Sequence, residues 1–362
     1  ISRFVCGGYW ELPKENLQED CGGDEDKAEK IEEEMPTAEN MEKFGYTVLQ
    51  KPLEALNMVY PQVKEKKDKE GNKEKGEKGE KGEKGDKDKE YELETMVGKA
   101  GLNRIMTHEM NNGRRTNYKY KPGFLKKFGK IFTKDLIGQY SAKIAHIVDS
   151  VLNSDGIVLV YSQYLDGGLL PVALALEESG LMNFSGDPML KSPSASKSKE
   201  TTLKYALITG DKSLSTNNAA IVKAAGADDN RDGSKIKVIL VSRAGSEGLD
   251  FKNIRQVHIM EPWYNTNRIE QIIGRGVRNC SHKDLPFSKR NVMIFLYGTK
   301  LENETEAADM YVYRVAEEKA LKIGNVSRVL KEGAVDCLLH AGQSGLTEEN
   351  FNMEKTLELS NK

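Results

Sequence analysis

The sequence predicts an α/β fold in which a parallel sheet carries helices on both faces. Two observations lead there. Short, nearly continuous apolar runs (GIVLVY, YALIT, IKVILVS, VHIME and NVMIFLY) alternate with stretches of helical length between residues 136 and 340, as strands buried on both faces do. Unusual residues then gather just beyond those runs, at Ser162-Gln163, Gly210-Asp211, Ser242 to Asp250 and Pro262 to Asn265, where open parallel sheets collect their ligand contacts.

The elements follow in order. Residues 1–42 hold 13 Asp and Glu against 4 Lys and Arg, which predicts a loose acidic segment. The first residue is Ile rather than Met, so the chain is expected to be truncated at its N-terminus. In FGYTVLQKPLEALNMVYP the expected break is at Pro52, with a helix in LEALNMVY after it. Lys64 to Glu90 contains no apolar side chain, and Gly76, Gly79, Gly82 and Gly85 recur every third residue. With nothing to bury and no proline for a triple helix, this tract is expected to be a disordered insertion.

Lys99 to Lys143 reverses the charge, with 11 Lys and Arg against Glu109 and Asp135, and interleaves Tyr118, Tyr120, Phe124, Phe128 and Phe132. Basic charge with aromatic rings is the footprint of a phosphate-tracking surface. Arg114, Arg115, Lys119 and Lys121 are the expected phosphate contacts, and Tyr118 and Tyr120 the expected stacking groups. The alternative is a solvated face that balances the acidic N-terminus.

From Leu136 the chain turns regular. Ser141 can cap a helix whose apolar positions Ile144, Ile147, Val148, Val151 and Leu152 form one stripe, and Gly156 follows its end. Then come a strand at Ile157 to Tyr161, a helix in LLPVALALEESG, and strands at Tyr205 to Thr209, Ile236 to Ser242 and Val257 to Glu261. A helix over Arg268 to Arg278 and a strand over Asn291 to Tyr297 complete the series.

Composition excludes several classes. The 362 residues are 38% hydrophobic and 30% charged, with a net charge of -2 that conceals the segregation above. The longest apolar runs fall far short of the roughly 18 residues of a membrane span, and no secretory leader pattern opens the chain. Cys6, Cys21, Cys280 and Cys337 show no paired CxxC spacing, which disfavours a disulfide framework and predicts a reduced, intracellular setting. Cys280 and His282 form a C-x-H pair without a second pair, so no metal is expected.

VILVSRAGSEGLDF (238–251) resembles motif V of the superfamily 2 helicases, and QIIGRGVR (271–278) resembles motif VI with its Q-x-x-G-R-x-x-R spacing. GIVLVYSQY resembles motif IV, and YSAKIAHIVDSVL resembles the segment that opens the second RecA-like lobe of Swi/Snf-type translocases. HIMEPWYN, RNCSHKDLPFSKRNVMIFLYGT and VSRVLKEGAVDCLL are similar to the helicases of large nucleocytoplasmic DNA viruses, the group of the poxvirus early transcription factor small subunit and nucleoside triphosphatase I. The resemblance implies a RecA-like helicase C-terminal lobe over 136–340. Ahead of it would lie an acidic segment and inter-lobe connection (1–63), the low-complexity insertion (64–90) and a basic lead-in (91–135). A tail (341–362) would follow.

The chemistry has its own rationale. Phosphoryl transfer needs positive charge at the γ-phosphate, and arginine supplies it in a rigid donor fork. Arg275 and Arg278, three apart, are expected on one helix face, and the resemblance makes them arginine fingers with Gln271 beside them. Gly245 and Gly248 permit close backbone approach to a phosphate or sugar. The resemblance places Gly248 and Asp250 at the nucleotide, with Asp250 coupling it to lobe closure, and Ser162, Gln163 and Ser242 against nucleic acid. No GxxxxGK[ST] loop and no DExH box occurs between Ile1 and Lys362. The expectation is a second lobe whose partner lobe lies upstream and binds most of the ATP and Mg²⁺. This chain alone would be inactive; the full-length protein would act on DNA or RNA in viral transcription, in a virion or host cytoplasm. The competing class is a non-catalytic nucleic-acid-binding or scaffold module derived from such a lobe.

Overall fold

The computed structural model describes residues 5–6, 49–61, 93–193, 203–215, 217–245, 249–301 and 306–334. The acidic segment, the Lys64 to Glu90 tract, Gly248 and the 341–362 tail, on which expectations were placed, lie outside the described residues.

Nine strands are described: β1 (Val5–Cys6), β2 (Met106–Asn111), β3 (Arg114–Tyr120), β4 (Ile157–Tyr161), β5 (Met182–Asn183), β6 (Lys204–Ile208), β7 (Val238–Val241), β8 (Ile254–Ile259) and β9 (Met293–Gly298). Seven of them form one sheet in the order β1-β9-β8-β4-β7-β6-β5, with every neighbouring pair parallel. Alternate side chains face opposite layers, as the period of two requires. Val158, Val160, Tyr205, Leu207, Val238 and Leu240 join one core, and Ile157, Leu159, Tyr161, Ile208, Ile239, Val241 and Val257 join the other. Burial on both faces explains why β4 and β7 are apolar throughout.

The helices are α1 (Gln50–Asn57), α2 (Gly98–Ile105), α3 (Pro122–Phe128), α4 (Lys134–Ile137), α5 (Ala142–Leu152), α6 (Leu170–Glu178), α7 (Asn218–Ala225), α8 (Thr266–Gly276) and α9 (Ala308–Glu332). At α5 the Ser141 hydroxyl oxygen accepts the Ile144 amide at 3.0 Å, the expected cap, and Ile144, Ile147, Val148 and Val151 are buried. Helix α6 is buried along its whole length, so its sequence carries no polar stripe. It even takes Glu177 inside, where the carboxylate accepts the Met189 and Leu190 amides at 2.8 and 2.6 Å and the Tyr205 hydroxyl at 2.8 Å. Burial raises the Glu177 pKa, and those three hydrogen bonds oppose the rise.

Helix α1 starts before Pro52 rather than after it. Proline in a first turn removes only an amide that has no intrahelical acceptor, so it admits the helix instead of breaking it. The basic segment differs more. Strands β2 and β3 pair antiparallel around Asn112 and Gly113, whose φ angles are +50° and +76°. Asn-Gly is the two-residue hairpin signal, because both positions tolerate the left-handed region. Tyr118, Tyr120, Phe124 and Phe132 are buried in the same core as Ile144, Val158 and Leu174. Tyr118 is 1% exposed, so the expectation that Tyr118 and Tyr120 stack on bases is corrected: their rings hold the hairpin to the sheet.

Candidate functional site

Helix α8 ends at Gly276, two residues earlier than the sequence predicts, because the chain there lies against β8. A Cβ on Gly276 would sit 2.7 Å from Val257 Cγ2. Arg275 is therefore in the last helical turn and Arg278 beyond it, which corrects the expectation of one shared helix face. The two side chains nevertheless converge. Arg275 Nη1 and Arg278 Nη2 both donate to the Leu249 carbonyl, at 2.8 and 3.1 Å, and Arg278 Nη1 reaches Asp250 Oδ1 at 2.7 Å. Gln271 is exposed one turn before Arg275 on the same helix. Among the described residues the buried Arg275 Nε has no hydrogen-bond partner.

The loop after β4 is organised from within. Ser162 is fully buried, with its hydroxyl 3.0 Å from both oxygens of Glu261, and the Gln163 amide donates to the same carboxylate. A Cβ on Gly168 would lie 2.2 Å from the Ser162 hydroxyl oxygen, so the following turn closes over it. Ser242, after β7, is also buried, and its hydroxyl oxygen accepts the Gly245 amide at 3.3 Å. Neither serine hydroxyl faces solvent, contrary to the expected contact with nucleic acid; both shape the loops that carry them. Gln163 is half-buried, and its Nε2 has no hydrogen-bond partner.

Glu261 was not singled out from the sequence. It is buried, and Asn57 Nδ2 donates to it at 2.8 Å. Lys143 lies next in the chain of contacts, donating to Met260 O at 3.1 Å and Asp309 Oδ2 at 3.1 Å. Burial raises the Glu261 pKa, opposed by hydrogen bonds from Asn57, Gln163 and Ser162 and by the Lys143 charge. An acid closing the otherwise apolar VHIME strand was the available signal, since an unpaired carboxylate there would be costly. Beside it, Trp263 carries the Arg268 guanidinium over its ring at 3.6 Å and that of Arg243 at 5.7 Å.

The basic residues divide. Lys119 and Lys121 are exposed. Arg114 is engaged by Asp187 and by Ser185 Oγ at 2.7 Å. Arg115 is buried, its fork spent on Asp166 Oδ1 (2.7 Å), Asp211 Oδ2 (2.7 Å) and Ser213 Oγ (2.9 Å), so the expected phosphate contact is corrected for this residue. Mg²⁺ needs several hard oxygen ligands. Among the described residues no group of three or more His, Cys, Asp or Glu side chains could hold a metal, and Asp250 faces Arg278. These residues do not fit a magnesium site.

Residues 143–280 match the helicase conserved C-terminal domain. A protein of Invertebrate iridescent virus 3 named as a helicase is 33% identical over 231 residues, covering 61% of this chain and 23% of its own. A protein of Acanthamoeba polyphaga mimivirus named as an ATP-dependent RNA helicase is 46% identical over 130 residues, 34% of this chain and 16% of its own. A termination factor NPH-I homolog of African swine fever virus is 32% identical over 266 residues, 61% of this chain and 37% of its own. Residues 143–280 are thus similar to the helicase C-terminal domain, and the chain spans well under half the length of these viral relatives. No described helix is long and apolar enough to cross a membrane.

Proposed function

We propose that this chain is the second lobe of an ATP-dependent nucleic-acid helicase or translocase and that Arg275 and Arg278 act as its arginine fingers. The observation that carries the reading is their convergence on Leu249 O beside Asp250, two guanidinium forks brought to one acceptor. Among the described residues Arg278 is held by a half-exposed ion pair and backbone carbonyls, and a pair of that kind is worth about 0–1 kcal/mol. A γ-phosphate carrying more charge can draw it away. A first lobe would hold ATP and Mg²⁺, while Gln271 and Asp250 would complete the nucleotide crevice. Nucleic acid, DNA or RNA, would cross the loops after β4, β6 and β7, with Lys119 and Lys121 offering donors. The names of the relatives support ATP dependence, and the termination factor among them supports a role in viral transcription, hence a virion or infected-cell setting.

The test is nucleic-acid-stimulated ATP turnover by a protein carrying both lobes, compared with this chain alone. Turnover by the two-lobe protein and none by the chain is expected. A two-lobe protein that binds nucleic acid without turnover would instead leave the non-catalytic binding module.

A further inference from the structure

Arg115 occupies a position that a surface arginine does not. Its side chain is 10% exposed, and its partners come from two separate loops: Asp166 from the turn between β4 and α6, and Asp211 and Ser213 from the connection between β6 and α7. Its amide also donates to Ser213 O at 2.9 Å, so backbone and side chain of β3 grip the same loop. Asp211 Oδ1 in turn accepts the Ser213 amide at 2.8 Å, and Asp166 O accepts the Tyr60 hydroxyl at 2.9 Å.

Strands β4, β7 and β6 are neighbours in the sheet, so the two tied loops flank the Ser242 to Gly245 turn. Packing there is tight. A Cβ on Gly210 would meet Ala244 Cβ at 2.6 Å, and one on Gly245 would meet Ile208 O at 2.2 Å. Fixing the outer loops therefore frames the middle one. Two carboxylates facing one guanidinium leave a net negative site, which repels a phosphate rather than receiving it. Burial works against both charges, yet the Asp166 carboxylate above all, with Asp211, leaves the Arg115 pKa raised, and the Ser213 hydrogen bonds with the Arg115 charge leave the Asp211 pKa lowered. The ionised state is the one the fold holds.

We propose that Arg115 is a positioning residue by which the β2–β3 hairpin locks the loops after β4 and β6 into the shape that takes a nucleic-acid strand, and that it makes no phosphate contact itself. The proposal rests on the reading that the carboxyl edge receives nucleic acid. Lysine cannot substitute, because a point charge on a flexible stem does not span three acceptors.

The experiment uses this full chain and a fluorescent oligonucleotide, single- and double-stranded, titrated across salt concentrations, with amide exchange measured on the free protein. Arg115→Gln is expected to weaken binding about tenfold with an unchanged slope of log K against log salt, and to speed exchange across 163–168 and 209–215. Adding Asp211→Asn to Arg115→Gln should restore part of the affinity by removing the carboxylate repulsion, while Arg115→Lys should not restore it. A slope reduced by about one identifies a lost phosphate contact and overturns the proposal, as does unchanged exchange in both loops. Should Arg115→Gln not fold, Asp211→Asn alone carries the test, with faster exchange in 209–215 expected and its absence overturning the tie. If the wild-type chain binds neither oligonucleotide, the carboxyl-edge reading falls, and the exchange measurement still decides whether Arg115 holds the loops.

Discussion

Arg275 and Arg278 donate to a single acceptor, the Leu249 carbonyl, from the last turn of a helix and from the coil beyond it. Their spacing of three is thus realised by a helix end pinned against β8. If these groups stabilise a phosphoryl-transfer transition state, Arg275→Ala or Arg278→Ala in a protein carrying both lobes should lower kcat for ATP by roughly 10³-fold or more. Nucleic-acid affinity and melting temperature should be nearly unchanged. Steady-state turnover decides it, and wild-type kcat in both variants would remove the arginines from the reaction.

The parallel sheet was legible because burial on both faces leaves strands apolar without interruption, and Ser141 marked α5 because a capping oxygen is a local requirement. The arginine pair was legible as a pair, but its geometry was not: helix length there depends on Gly276 meeting Val257 across the chain. The basic segment misled for a related reason. A charge count does not distinguish Arg115, neutralised by carboxylates 51 and 96 residues away, from Lys119, which stays in water. Asn112-Gly113 was readable as a hairpin, and a hairpin would have placed Tyr118 and Tyr120 on the same face of β3, toward the core.

Tyr120 supplies the next prediction. It is buried against Phe124 and Phe132, and its hydroxyl accepts the Phe132 amide at 3.2 Å. Tyr120→Ala should cost about 3–5 kcal/mol of stability, the range for deleting a buried ring. Chemical denaturation measures it. A fully stable variant with weakened single-strand binding would return the ring to a stacking role.

Lys119 and Lys121 make the opposite prediction, since both are exposed and their loss leaves no buried partner. Replacing both by Gln should leave stability within about 0.5 kcal/mol. If both contact phosphates, the slope of log K against log salt should fall by about 1.8 on duplex DNA. An unchanged slope and affinity would make this a solvated face.

Lys143 and Asp309 form a pair whose side chains are 5% and 0% exposed, 3.1 Å apart. Asp309 also accepts from the Thr299 amide and hydroxyl. Lys143→Met would leave the Asp309 charge buried beside Glu261 with no cation, at a cost of about 3–5 kcal/mol. Combining it with Asp309→Asn should cost less than the sum of the single changes, because the stranded charge is gone. Strict additivity in denaturation experiments would show that the two are not coupled.

Acid should expose the last buried device. His258 is fully buried, its Nδ1 2.7 Å from the Tyr297 hydroxyl and its Nε2 3.1 Å from Gln256 Oε1, with Phe295 stacked on the ring at 4.4 Å. Burial, with a smaller repulsion from His146, lowers its pKa from 6.5 to about 3, and burial lowers that of His146 as well. A depressed histidine pKa means that the unfolded chain binds the proton first. The contribution is therefore intact above pH 6.5 and is lost as pH falls from there toward 3, at about 1.4 kcal/mol per unit, or about 3 kcal/mol by pH 4.5. Glu261 and Glu177, whose pKa values are raised, act in the opposite direction, so the histidine term is isolated by difference. His258→Phe should lose stability at pH 7 by leaving the buried Gln256 side chain without its ring partner, while the Tyr297 hydroxyl keeps His146 Nδ1 at 2.8 Å, yet decline less steeply between pH 6.5 and 4.5 than the wild type. Parallel declines would show that His258 is not the group that titrates.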